Sequence, residues 1–171
     1  RALFILLTFM FLPLLSSGQS TEIDSMKQLL PRQVGVTRLN TLLILAYQLY
    51  GYSIDDAHRY ALEALKEVEK NKNKPGEKHA LTLIGEYYYN LSDTKKAREF
   101  LRQADQISLK DGGKLYTAYN YVIAANIYLG EPNIDAAKVY FQKALKLLEY
   151  ENNYEIKYYS YFCYDSLLFD Q

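Results

Sequence analysis

The sequence has few residues of the types that build disulfide-linked, metal-bound or turn-rich folds. Among 171 residues there are one Cys, two His, eight Gly, four Pro and no Trp. A single Cys cannot form an intrachain disulfide, and two His add too few ligands for a structural zinc site. The shortage of Gly and Pro disfavours a β-sandwich with its many turns. Twenty basic residues balance 20 acidic ones, so this segment is not expected to bind nucleic acid.

What the sequence does contain is apolar and aromatic side chains. Hydrophobic residues make up 49% of the chain and aromatic residues 15%, with 18 Tyr. This content is sufficient to bury a core, which excludes a disordered or collagen-like chain. Together with the low Gly and Pro content, it predicts one helical domain.

The first 18 residues differ in composition from the rest of the chain. Arg1 precedes an apolar run over 2–15, which is followed by small residues at 16–18. This order is typical of a secretory signal peptide, and the run of about 14 residues is shorter than the roughly 20 that a membrane-spanning helix needs. The sequence therefore predicts a signal peptide over 1–18, cleaved near Gly18, and an exported protein. A short buried helix and an uncleaved anchor are the alternatives.

Small residues recur with a period of 40. Two alanines, seven residues apart, mark each unit: Ala57 and Ala64, Ala97 and Ala104, Ala137 and Ala144. Gly85 precedes the second of these units by 12 residues, and a glycine inside a helix costs about 1 kcal/mol relative to alanine. Close contact with a neighbouring helix is the expected reason for it. The pattern predicts two tightly packed helices in each unit.

Residues that begin and end helices follow the same register. Four residues before each leading alanine stand possible N-caps, Ser53, Asp93 and Asn133. Sixteen residues after each leading alanine stand types that tolerate the left-handed conformation at a helix end, Asn73, Gly113 and Asn153. Caps, ends and contact alanines thus agree on a unit of two antiparallel helices.

These boundaries divide the chain into a leader and a repeat domain. A short helix over 24–30, stopped by Pro31, belongs to an N-terminal cap segment over 19–36. The predicted helix pairs are 37–50 with 54–71, 77–91 with 94–110 and 114–129 with 134–151, and a last helix over 154–169 begins a fourth pair. The repeat domain is therefore 37–171, with repeats over 37–73, 77–113 and 114–153 and a partial fourth over 154–171. Amphipathic hairpins that bury their apolar faces against one another form an all-α solenoid.

The third unit carries a residue pattern that resembles the tetratricopeptide repeat family. The positions are Tyr121, Ala124, Ala125 and Tyr128 in its first helix and Ala137, Phe141 and Ala144 in its second. The resemblance implies a right-handed superhelix of helix hairpins that binds proteins or peptides. The period of 40 exceeds the 34 residues usual in the family. The extra length follows the second alanine of each unit, so the second helices are expected to be longer.

Long-period repeats after a signal peptide also resemble the exported sensor region of certain bacterial signalling proteins. That resemblance implies a periplasmic location, and a transmembrane helix followed by a histidine kinase or a DNA-binding regulator domain after Gln171. The chain starts without Met and stops inside a repeat, which indicates a fragment.

No group of residues in the sequence predicts catalysis. Cys163 is in register with the aliphatic positions Ile123 and Leu83, which indicates a buried hydrophobe rather than a reactive thiol. His58 is in register with Arg98, in a row of basic positions expected at the surface. Phosphate-loop, serine-elbow and zinc-helix motifs are absent from the sequence. This chain is therefore expected to have no catalytic residues, no metal site and no cofactor.

One face of the first helices is the candidate binding surface, because these helices line the groove in the family that the sequence resembles. Its residues are Asn40, Leu43, Tyr47, Tyr50, His79, Thr82, Glu86, Tyr89, Tyr119, Val122 and Asn126. Tyrosine combines apolar area with a hydroxyl at low entropic cost, which suits recognition of a partner. The expected partner is a protein or peptide held in a concave groove. A chaperone-tail clamp is disfavoured, because Leu43 and Tyr47 stand where Lys, Asn or Arg is used.

Three other roles remain open at this level. The helices of the strip could merely stack, the repeats could be a rigid spacer or a dimerisation surface, and the protein could be a cytoplasmic transcription regulator whose apolar start is not a signal.

Overall fold

The computed structural model describes residues 21–107, 113–130 and 133–149, together with 157, 158, 160, 161, 164 and 165. The predicted signal peptide, Asn153 and Cys163 lie outside these residues, as do 108–112. Every regular element of the described part is helical, and it contains no β-strand. None of its helices is long and apolar enough to cross a membrane.

Within 21–149 of the described residues, seven α-helices and one 3-10 turn follow one another. They are α1 (21–29), the 3-10 turn Leu30–Arg32, α2 (Gly35–Leu49), α3 (Ile54–Asn71), α4 (Lys74–Asn90), α5 (Thr94–Gln106), α6 (Lys114–Leu129) and α7 (Ile134–Leu148). The described residues of 157–165 are helical as well. The predicted all-α solenoid of antiparallel helix hairpins is confirmed.

Each hairpin packs on the next through both of its helices. Each first helix packs on its own second helix, in the pairs α2 with α3, α4 with α5 and α6 with α7. Between hairpins, α2 and α3 both contact α4, and α4 and α5 both contact α6. Helix α4 therefore lies between the first and the third hairpins. That the first helices line a concave groove stays a prediction.

The periodic small residues lie where helices approach most closely. All six repeat alanines are buried. A Cβ atom added at Gly85 would stand 2.8 Å from Leu101 Cδ2 and 3.3 Å from the carbonyl oxygen of Ala97. A side chain at position 85 would therefore force Leu101 to shift, and packed interiors leave little volume for that. The prediction that Gly85 lies at a close contact with a neighbouring helix is confirmed.

Two of the three predicted N-caps form hydrogen bonds. The Asp93 side chain accepts from the backbone N–H of Lys96 at 3.1 Å, and the Asn133 side chain accepts from that of Ala136 at 3.2 Å. Ser53 holds the predicted N-cap position before α3, but its side chain makes no cap bond, so the prediction of that bond is wrong. Its position is held instead by its backbone N–H, which donates to the carbonyl of Leu49 at 2.7 Å.

Helix α3 ends at Asn71 as predicted, but the left-handed residue that follows it lies one position before the predicted one. Lys72, with φ of 51°, takes the left-handed conformation expected of Asn73. Asn73 instead caps the following helix, since its side chain accepts from the N–H of Gly76 at 2.8 Å. Helix α4 therefore begins at Lys74, three residues before the predicted start, with Pro75 in its first turn, where proline is tolerated.

Helix lengths depart from the expected pattern. The second helix is longer than the first only in the first hairpin, with 18 residues in α3 against 15 in α2. In the next hairpin α5 has 13 residues and α4 has 17, because α5 ends at Gln106 rather than at 110. In the third hairpin α7 ends at Leu148 rather than at 151. Near the N-terminus, α1 ends at residue 29, and Pro31 lies within the 3-10 turn that follows it.

Candidate functional site

Three successive first helices bring four of the predicted groove residues together. Tyr47 and Tyr50 come from α2, Glu86 from α4 and Tyr119 from α6. The Tyr119 hydroxyl donates a hydrogen bond to Glu86 Oε2, and the Tyr50 hydroxyl bonds the same carboxylate. The Tyr47 ring meets the Tyr119 ring edge to face, with centroids 6.4 Å apart. We call these four residues the tyrosine–glutamate cluster.

Burial gives this cluster an unusual proton affinity. Glu86 is only 8% exposed, and the loss of water raises its pKa to about 7, although hydrogen bonds from Tyr119 and Tyr50 lower it in part. Burial, together with the nearby Glu86 charge, raises the pKa of Tyr119 well above its usual value. Tyr119 therefore remains a donor at neutral pH, whereas Glu86 is divided between its charged and neutral forms.

The exposed edge of the cluster lies on α2. The Tyr47 side chain is 40% exposed, and Ile44, three residues before it, is 43% exposed. Asn40 lies one turn before Ile44 and is exposed too. Residues at these spacings share one face of a helix, so the accessible strip of α2 is Asn40, Ile44 and Tyr47. Sequence reasoning missed Ile44 because it placed Leu43 on this face.

Besides Glu86, four residues of the predicted strip are buried. They are Leu43, Thr82, Val122 and Asn126. The prediction that they belong to an accessible surface is wrong. Each first helix packs against its own second helix and also against the first helix of a neighbouring hairpin, and these contacts bury them. Thr82 shows the effect, since its hydroxyl donates to the Lys78 carbonyl at 2.9 Å and lies 3.3 Å from Asn120 Oδ1 on α6. These residues join hairpins.

The remaining predicted residues, His79 and Tyr89, lie outside the cluster. The His79 ring stacks on Tyr116 with centroids 4.3 Å apart, and burial lowers its pKa to about 4, which keeps it neutral. Its Nδ1 has no hydrogen-bond partner in the described part of the chain. Tyr89 is half-buried against a core that contains Ile123 and Ile127. Both side chains pack between hairpins.

His58 is not the surface residue that its register indicated. Its ring is half-buried and stacks on Tyr87 with centroids 3.7 Å apart and planes within 2°. Burial lowers its pKa, and the Asp55 carboxylate opposes that shift. The stack joins α3 to α4, so His58 contributes to the contact between hairpins.

The described residues contain no group of three or more His, Cys, Asp or Glu that could hold a metal ion. The tyrosine–glutamate cluster combines a buried carboxylate, hydroxyl donors and an exposed aromatic edge. The hydroxyls and the carboxylate bond one another, and the exposed aromatic edge can be covered by apolar side chains of a partner.

Comparison with known proteins identifies the repeats. Residues 79–111 and 118–147 match the family model described as tetratricopeptide repeat, and no curated protein matches the chain. The first matched segment runs through α4 and α5 and the second through α6 and α7, so each falls on one hairpin of the stack. The family match and the stacked hairpins together support a tetratricopeptide repeat domain in this chain.

Proposed function

We propose that this chain is a scaffold that binds an extended or helical segment of a partner protein on its concave face, at the tyrosine–glutamate cluster. Tetratricopeptide repeats in general bind protein partners. The observation that carries the proposal is the meeting of three successive first helices at one buried carboxylate. Tyr50 from α2 and Tyr119 from α6 bond Glu86 on α4, and the Tyr47 ring packs on Tyr119.

The chemistry of the cluster fits a peptide ligand. Ile44 and Tyr47 offer an apolar and aromatic edge that a partner's side chains can cover, and covered aromatic residues dominate the energy of many interfaces. Beneath this edge, the hydrogen bonds of Tyr50 and Tyr119 to Glu86 hold the cluster in place. A bound segment would therefore meet an ordered aromatic edge on α2 that is supported by the two following hairpins.

The cellular setting is part of the same proposal. The apolar leader over 1–18 and the long-period resemblance favour an exported, periplasmic module, which would be the sensing or assembly part of a bacterial signalling protein. A kinase or DNA-binding domain after Gln171 would then receive the signal. N-terminal sequencing of the mature protein tests the setting: a chain that begins at Gln19 supports export, and an intact leader contradicts it.

Panning a library of random 12-residue peptides displayed on phage tests the binding surface. Peptides enriched on the native chain are synthesised and titrated by calorimetry. Tyr47→Ala is expected to weaken their binding about tenfold, because an aromatic anchor is lost. Tyr52→Ala is the matched control, since Tyr52 is exposed in the turn after α2 and outside the cluster. Enrichment of peptides that bind both variants equally, or no enrichment at all, contradicts the proposal and favours a spacer.

A further inference from the structure

A cavity of about 350 Å³ lies at the junction of the second and third hairpins. It is lined from α4 and α6 and from the C-terminal parts of α5 and α7, and none of its lining residues belongs to the tyrosine–glutamate cluster. Its size falls within the range of pockets that hold small molecules. Neither the predicted groove strip nor the repeat pattern accounts for it.

The lining of this cavity is strongly cationic. Lys78, Lys114, Lys143 and Lys146 contribute four ammonium groups, and Asp105 contributes one carboxylate. The whole chain has a formal net charge of zero, so the local excess of positive charge is unusual for this protein. None of the four lysines forms an ion pair within 4 Å among the described residues. Charges of one sign gathered in a concave site concentrate ions of the opposite sign.

Two of these lysines are held in place. Lys78 is only 1% exposed, and its Nζ donates to the carbonyl oxygen of Ile107 at 3.0 Å. The Lys143 Nζ lies 4.7 Å from the centre of the Tyr140 ring and 5.7 Å from that of Tyr121, both within the range of a cation–π contact. A buried ammonium is costly without a compensating charge, and an anion in the cavity would supply one.

The carboxylate in the lining is already engaged. Asp105 accepts a hydrogen bond from the Asn120 side chain at 2.6 Å. Burial lowers the pKa of Lys78, and the Asp105 carboxylate opposes that shift. Burial raises the pKa of Asp105. One carboxylate cannot balance four lysines, so the cavity remains cationic.

We propose that this cavity binds a small molecule that carries two or more negative charges, of the phosphate-ester or polycarboxylate class. Lysine ammonium groups bind such anions as point charges, without the planar geometry that arginine imposes. Ile107 and Leu147 give the cavity apolar wall, which can contact the uncharged part of the ligand. The site is separate from the concave surface, so the scaffold would bind a peptide and a small anion at different places.

Calorimetric titration with inorganic pyrophosphate and with citrate, at constant ionic strength, tests the site on the whole chain. Saturable binding of one anion per chain is expected, and the tighter-binding probe assigns the phosphate or the carboxylate class. The double variant Lys143→Gln/Lys146→Gln is expected to bind about tenfold more weakly. The control Lys66→Gln/Lys95→Gln removes the same charge from exposed lysines outside the cavity and is expected to retain native affinity.

A second variant keeps the test decisive if the lysine variant does not fold. Asp105→Asn removes the one carboxylate of the lining and keeps an acceptor for Asn120, so the anion is expected to bind several-fold more tightly. A merely structural effect would not tighten binding. Unchanged or weaker binding by Asp105→Asn, equal losses in the two double variants, or no saturable binding of either anion would each overturn the proposal.

Discussion

Tyr119 on α6 donates its hydroxyl hydrogen bond to the Glu86 carboxylate on α4, and this contact joins the second hairpin to the third. The acceptor is desolvated, and its pKa is raised to about 7. The same contact that orders the candidate binding surface therefore also carries a proton that exchanges near neutral pH.

Glu86→Gln is expected to change how stability depends on pH. The pKa of Glu86 is about 7 in the folded chain and near 4.5 when unfolded, so the folded state binds more protons between these values. Its contribution to stability is present at low pH and is lost as the pH rises through about 7, by about 3 kcal/mol in total. Relative to the native chain, the variant should therefore gain stability between pH 4.5 and pH 8. Urea denaturation at several pH values measures the difference, and a constant difference contradicts the assigned pKa.

His79→Phe is expected to have the opposite pH dependence. The pKa of His79 is about 4 in the folded chain and near 6.5 when unfolded, so the unfolded state binds more protons as the pH falls. The native chain should lose about 2 kcal/mol of stability between pH 7 and pH 4.5 through this group. Phenylalanine keeps a ring against Tyr116 and cannot titrate. The variant should resist acid better than the native chain in thermal melts, and an equal loss in both would show that the imidazole protonates freely in the folded state.

Gly85→Ala is expected to destabilise the chain although alanine favours helix. The added methyl group would meet Leu101 at 2.8 Å, and overpacking of a core costs about 1 to 3 kcal/mol, which exceeds the gain of about 1 kcal/mol in helix propensity. Gly51→Ala is the matched control, since nothing lies within 4 Å of a Cβ there. Denaturant titration measures both.

The clash at Gly85 is tested further by relieving it. In the Gly85→Ala background, Leu101→Ala should cost less than it does in the native chain, because it removes the group that the new methyl meets. Additive costs would show that the two residues do not interact.

Asn133→Ala is expected to lower the unfolding free energy by about 1 kcal/mol, the usual cost of losing an N-cap. Its side chain accepts from the N–H of Ala136 at the start of α7. Ser53→Ala is the comparison, because Ser53 holds the same register position but makes no side-chain cap bond. Equal losses of unfolding free energy in the two variants would show that the cap bond of Asn133 adds no stability over the serine that lacks one.

Much of the fold could be predicted from the sequence because local chemistry repeats with the period. Ala97, Ala104 and Gly85 are small where helices touch, and no other residue type fits as well. Residue type alone did not predict the role of Asn73 after α3. Asparagine suits both a left-handed helix terminus and an N-cap. In the structure, Asn73 accepts the hydrogen bond from Gly76 and is the cap of α4.

The candidate site was less predictable, because it depends on contacts between repeats. The spacing of residues along α2 defined a face but not its rotation, so Leu43 was placed at the surface and Ile44 was missed. The raised pKa of Glu86 arises from burial among tyrosines of the flanking hairpins, 33 and 36 residues away in sequence. No local pattern encodes such a pairing.

Helix α4 packs against four other helices at once, because α2, α3, α5 and α6 all contact it. A substitution or a ligand that shifts α4 would therefore displace the hairpins on both of its sides. Tyr50 and Tyr119, which bond Glu86 from those two hairpins, would be displaced with it.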